Sequence, residues 1–153
     1  MSQIIPQVKK IICEMADANG YSLRDAPIQG DDFRLFLTPP GGNAETVEVF
    51  KEKNSDVVCC GAGLVMGGKY RKKFFEQTSS KRQNLKEQLE GLDTVASLDF
   101  FQIEYDEKNF VVTMRCELSP DGDIEEGFEN CMNRINLAGY SVEDEWDKFF
   151  EEL

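Results

Sequence analysis

The run "NFVVTMRCEL", residues 109–118, alternates without a break. Phe110, Val112, Met114, Cys116 and Leu118 fall on one side, and Val111, Thr113, Arg115 and Glu117 on the other. Successive side chains of a strand point to opposite faces, so this pattern belongs to a strand with one dry face and one wet face. A sheet built from such strands is covered by helices on one side only. Three more runs suit the same sheet: "FRLFL" with Phe33, Leu35 and Leu37 inward, "ETVEVFKE" with Val47 and Val49 inward, and the small-residue run "VVCCGAGLVM". The turn signals "TPPGGN" and "KNSD" separate them, which predicts an antiparallel meander. "SLDFFQIEY" joined through "DEKN" to the alternating run adds a further hairpin.

Helical periodicity marks the rest. Ile4, Ile5, Val8, Ile11, Ile12 and Met15 recur on one helical face, and Gly20 closes that helix. Residues 21–32 are polar and irregular. A basic helix is predicted from about Lys69 to Glu90, ended by Gly91. After "SPDGD" a last helical region carries Ile124, Phe128, Cys131, Met132 and Ile135; Gly139 is expected to break it, and Ser141 to cap a terminal segment with Val142, Trp146, Phe149 and Phe150. "ANGYSLRD" at 18–25 and "LAGYSVED" at 137–144 echo each other, as two copies of one way to end a helix. The predicted architecture is a single α+β domain over residues 1–153. It has two layers in the order α-β-β-β-α-β-β-α, a five-stranded, mainly antiparallel sheet, and helices on one face.

Composition narrows the function. The net charge of −12 disfavours nonspecific nucleic-acid binding. No apolar run approaches the roughly 20 residues of a membrane span, and the N-terminus lacks the pattern of a secretory signal, so a cytoplasmic location is expected. The five cysteines are odd in number and histidine is absent, which argues against a disulfide framework and against a His-containing zinc site; buried, hydrophobic use of the thiols is expected, with no metal. Charge is segregated. Residues 69–90 hold seven Lys/Arg against three Glu, net +4, and residues 117–153 hold twelve Asp/Glu against two Lys/Arg, net −10. Two solvated helix faces, or docking of one region on the other within or between chains, would both account for this.

The stretch "GLVMGGKY", residues 63–70, has the G-x-x-x-x-G-K body of a phosphate-binding loop, with Gly63, Gly68 and Lys69 in register. Tyr70 stands where Ser or Thr would reach Mg²⁺, and the preceding strand belongs to a hairpin series instead of a βαβ unit. A structural strand-to-helix turn at Gly67 and Gly68 is the expectation. A small-ligand or nucleotide-binding protein, or an enzyme, using the Gly63–Lys69 turn is the alternative. No residues form a recognisable catalytic constellation, so no catalytic residue is assigned.

The element order, the size, the acidic balance and the amphipathic C-terminal helix together resemble the fold of the type III secretion chaperones and their uncharacterised bacterial and archaeal relatives. That resemblance implies a chaperone-like protein that binds a partner or client protein, works as a homodimer and needs no cofactor. A contact surface is suggested by parity. The uncovered sheet face is written for water by Arg34, Glu48, Glu52, Gln102, Arg115 and Glu117, yet the same parity places Phe36, Phe50 and Phe100 there. These three rings are the expected partner-binding residues.

Overall fold

The computed structural model describes residues 4–40, 46–119 and 122–153. The turns at "TPPGGN" and "SPDGD" fall partly outside them, as do the side chains of Ile4 and Ile5. In chain order the elements are α1 (Ile4–Ala18), β1 (Ser22–Asp25), β2 (Asp31–Thr38), β3 (Val47–Glu52), β4 (Val58–Val65), α2 (Gly68–Phe75), α3 (Ser79–Glu90), α4 (Asp93–Ala96), β5 (Phe100–Tyr105), β6 (Phe110–Leu118) and α5 (Ile124–Glu151). The class is α+β, with an open antiparallel sheet ordered β1-β2-β3-β4-β6-β5. Six strands stand where five were expected. The additional one is β1, within the polar, irregular sequence of residues 21–32. All four of its residues are exposed, so no alternation marks it; pairing with β2, Leu23 opposite Leu37 and Arg24 opposite Phe36, creates it.

The chain divides into two compact units, Met1–Ala62 with Cys116–Asn133 and Gly63–Arg115 with Arg134–Leu153. In the first, Val8, Ile12, Met15 and Ala16 of α1 are buried, as are Phe33, Leu35 and Leu37 of β2, Val47 and Val49 of β3, and Cys60 and Ala62 of β4. Lys9 of α1 pairs with Asp25 at 2.6 Å, and Asp25 lies opposite Leu35, so α1 covers the Leu35 face. The start of α5 covers the same face, because its Cys131 thiol hydrogen-bonds that of Cys60, which lies opposite Val49 as Val49 lies opposite Leu35. Gly20 does end α1, at φ 75°, with Tyr21 N–H bonded to the Ala16 carbonyl at 2.8 Å and Gly20 N–H to that of Asp17 at 3.3 Å.

In the second unit the predicted basic helix is two helices. Thr78 caps α3 by accepting the Lys81 N–H at 3.3 Å, so "TSSK" is a helix start inside the predicted Lys69–Glu90 span. Helix α5 is continuous, which overturns the expected break at Gly139. The reason lies in the stripe. Ile135, Ala138, Val142, Trp146 and Phe150 keep the helical spacing across the glycine, and all are buried. After Gly20 no such stripe continues. A Cβ at Gly139 would meet Leu64 and Met114 side chains at ordinary contact distances of 3.7 and 3.8 Å. Gly139→Ala is therefore expected to stabilise the protein by about 0.5–1 kcal/mol, the helix preference of Ala over Gly. A thermal melt shifted downwards would show that the helix does not run through this position.

Candidate partner-binding face

Cross-strand register defines the uncovered face. In the first unit Arg24 lies opposite Phe36, Phe36 opposite Glu48, Arg34 opposite Phe50 and Phe50 opposite Cys59. Directly opposed residues share a face, so Arg24, Arg34, Phe36, Glu48, Phe50 and Cys59 project away from α1 and α5. In the second unit Phe100 lies opposite Arg115 and Gln102 opposite Thr113. There α2 and α5 lie on the other side, since Phe110 packs edge-on against both Phe74 and Trp146.

Each expected contact ring carries a guanidinium. Arg24 lies over Phe36 with its guanidinium carbon 4.6 Å from the ring centroid, Arg34 over Phe50 at 4.1 Å, and Arg115 over Phe100 at 5.1 Å. A cation over an aromatic face is attracted by the ring quadrupole, by about 0.5–1 kcal/mol at exposed sites and more when desolvated. Burial separates the three. Phe50 is 3% exposed, Phe36 is half-buried and Phe100 is 39% exposed. Phe50 is thus a covered ring, while Phe36 and Phe100 reach the surface. Phe36 and Phe50 occupy neighbouring strands of the first unit; Phe100 belongs to the second.

Arg34 is the centre of the first unit's outer face. Its Nε donates to Asp31 at 2.7 Å and its second terminal nitrogen to the other Asp31 oxygen at 3.2 Å, while its first terminal nitrogen bonds Glu48. Asp31 also accepts the Ile28 N–H at 2.9 Å. The Arg34 bonds hold the Asp31 carboxyl below the usual carboxylate range, helped by the Ile28 N–H and opposed by burial. The same bonds raise the arginine's own affinity for its proton. The hairpin turn at Gly30, with φ 98°, folds the preceding loop against this cluster. Beside it lies an open hollow of about 330 Å³ lined by Ile28, Asp31, Arg34, Glu52 and neighbouring residues. Sequence alternation placed Arg34 and Glu48 on this face but missed Asp31 and Arg24. A register shift between Asp31 and Phe33 breaks the parity that would have placed Asp31, and Arg24 sits in the unrecognised strand.

The glycine-rich stretch forms no phosphate-cradling loop. Strand β4 continues through Gly63 to Val65 and runs antiparallel to β3, and α2 begins at Gly68. Gly67 has φ −61° and ψ 155°, and a Cβ at Gly67 or Gly68 would meet nothing within 4 Å. The conformational freedom expected of these glycines is therefore not used. Tyr70 has a structural role in the second unit: its hydroxyl donates to Asp147 at 2.7 Å and its ring stacks on Phe150 at 4.5 Å, tying α2 to α5. Among the described residues no ion pair joins the basic helices α2 and α3 to α5.

Cys60, Cys116 and Cys131 are buried in the first unit, and Cys13 and Cys59 are half-buried. A hydrogen bond with Cys131, then burial, pushes the Cys60 thiol well above its ordinary range, so it stays protonated. Among the described residues no cluster of His, Cys, Asp or Glu is arranged to hold a metal ion, and no helix is long and apolar enough to cross a membrane.

No protein-family model matches the chain, and no curated protein matches it. Among solved structures it is similar to the crystal structure of an uncharacterized protein from Methanothermobacter thermautotrophicus, with a TM-score of 0.77 and 14% sequence identity, over 92% of this chain and 97% of the other. At that identity the likeness concerns the fold.

Proposed function

We propose that this chain is a chaperone-like, protein-binding module that works as a homodimer through non-catalytic contacts, with the uncovered strand face of each unit, taken by itself, as a client surface. The observation that carries the reading is the pairing of arginine with phenylalanine in each unit, with Phe36 reaching the surface under Arg24 in the first and Phe100 under Arg115 in the second. Arginine and aromatic residues are the side chains most enriched at protein interfaces, because they supply rigid area and several donors. The likeness to type III secretion chaperones in element order supports the same reading.

Burial decides how to test it. Phe50 is covered, so replacing it would damage the fold and say nothing about binding. Phe36→Ser with Phe100→Ser removes only the accessible rings. Wild type and double variant are immobilised side by side, challenged with extract of the native host, and the retained proteins quantified by mass spectrometry. A client retained by the wild type should fall at least about tenfold on the variant, since an anchor ring carries ~2 kcal/mol, while the melting temperature stays near wild type. Equal retention on a folded variant would overturn this surface.

A further inference from the structure

We propose that β5 pairs antiparallel with β5 of a second copy of this chain, extending the sheet across a two-fold axis at Ile103. This rests on the homodimer in the reading above and names its interface.

The two edges of the sheet are treated differently by the sequence. Strand β1 is four exposed residues with Arg24 and Asp25 in it. Short, charged edge strands are how proteins prevent unwanted pairing. Strand β5, "FFQIEY", is six residues with no proline, no lysine or arginine, and an unbroken register to β6 from Phe100 to Tyr105. Among the described residues no strand lies beyond it.

Two hydrogen bonds fix which backbone groups face that open edge. Asp106 N–H bonds the Asn109 carbonyl at 3.0 Å, and the Phe110 carbonyl accepts the Met66 N–H at 3.0 Å, so it points away from β5. Tyr105 and Phe110 are therefore a non-hydrogen-bonded pair. Alternation then assigns the bonds with β6 to Phe100, Gln102 and Glu104, and turns the N–H and C=O groups of Phe101, Ile103 and Tyr105 outward. An open cleft of about 540 Å³ at this end of the hairpin is lined by Ile103, Glu104, Tyr105 and Asp106, by Asn109 and Val111, and by Lys86 of α3.

The strand is complementary to itself in one register. With the axis at Ile103, that residue meets the partner's Ile103, Phe101 meets the partner's Tyr105, and Gln102 meets the partner's Glu104. Apolar and aromatic pairs then share the covered face, and an amide meets a carboxylate on the other. Moving the axis to Tyr105 would set Glu104 against the partner's Asp106, a like-charge pair. Moving it to Phe101 would set Ile103 against the partner's Asp99. An axis at Glu104 would set that carboxylate against its own copy, and one at Gln102 would leave Glu104 facing the partner's Phe100, so the axis at Ile103 is the one that gives Glu104 an amide partner.

Gln102 and Glu104 are exposed, so they can be changed without disturbing the core. Gln102→Glu places two like-charge pairs across the axis and should weaken dimerisation about tenfold in sedimentation velocity. Adding Glu104→Gln restores the complementarity and should restore the dimer. The Ile103 amide should exchange more slowly with solvent as concentration rises, while that of Gln102, turned to β6, should not respond. A wild type that stays monomeric at high micromolar concentration overturns the homodimer and this interface together. A dimer indifferent to Gln102→Glu, or not rescued by the second change, overturns the interface alone.

Discussion

Phe110→Ala is expected to cost about 4 kcal/mol, within the range for removing a buried phenylalanine ring. The ring is completely buried. Three aromatic neighbours in its unit surround it: Phe74 edge-on at 4.9 Å, Tyr105 stacked at 5.7 Å and Trp146 edge-on at 5.8 Å. Each such pair adds about 0.5–1.5 kcal/mol beyond the area it buries. The loss should appear as a lower urea midpoint at an unchanged slope. Trp146 is the only tryptophan, so its emission reports on this cluster directly and should shift to the red in the folded variant. Phe75→Ala is the control. That ring is half-buried at the rim of the cluster, 5.1 Å from Phe74, and its removal should cost clearly less. A Phe110→Ala loss below about 1.5 kcal/mol would mean that the cluster repacks around the vacancy, as a loosely packed site does.

Phe110 was placed correctly by alternation alone, and so was every inward position of β6. Alternation works where one face is dry, because water then enforces the period. The same rule reached the outer face of β2 and β3 but could not say how deeply a ring there is covered. Phe50 and Phe36 have the same parity and each lies under a guanidinium; the difference is that Arg34 over Phe50 is itself buried and anchored on Asp31 and Glu48, while Arg24 over Phe36 is exposed. That depends on contacts between residues far apart in the chain. Strand β1 was illegible for a related cause, since an exposed edge strand has no dry face to mark it. Gly20 and Gly139 sit in octets that share Gly-Tyr-Ser and a later Asp, and they behave oppositely. The local signal was the same, and the apolar stripe beyond it decided which helix ended. The division between α2 and α3 was legible in principle, because Thr78 followed by two serines is an N-cap signal that the surrounding basic periodicity masked. In the glycine stretch the spacing fits a phosphate loop but Tyr70 and the hairpin series argue for a structural turn, and the strand runs on through Gly63 to α2 at Gly68.

Arg34→Met is expected to cost about 3 kcal/mol at neutral pH, as breaking one side of a buried ion pair does. Methionine keeps much of the volume over Phe50, so the loss reports the charge. It leaves the Asp31 carboxylate, whose side chain is 3% exposed, without its guanidinium. A double-mutant cycle with Asp31→Asn separates the terms: the pair of changes should cost well under the sum of the two, because the second removes the charge stranded by the first. The pH dependence follows from the direction of the shift. In the folded protein Arg34 holds the Asp31 carboxyl below its unfolded value of about 3.9. The unfolded chain therefore binds this proton more readily. The contribution is fully present above pH ~4 and is lost as pH falls through the folded value. Urea denaturation of wild type and Arg34→Met should show their gap narrowing on the acid side of that window. A gap under about 1 kcal/mol at neutral pH would mean that water solvates Asp31 as well as Arg34 does, and that the guanidinium serves the outer face by position alone.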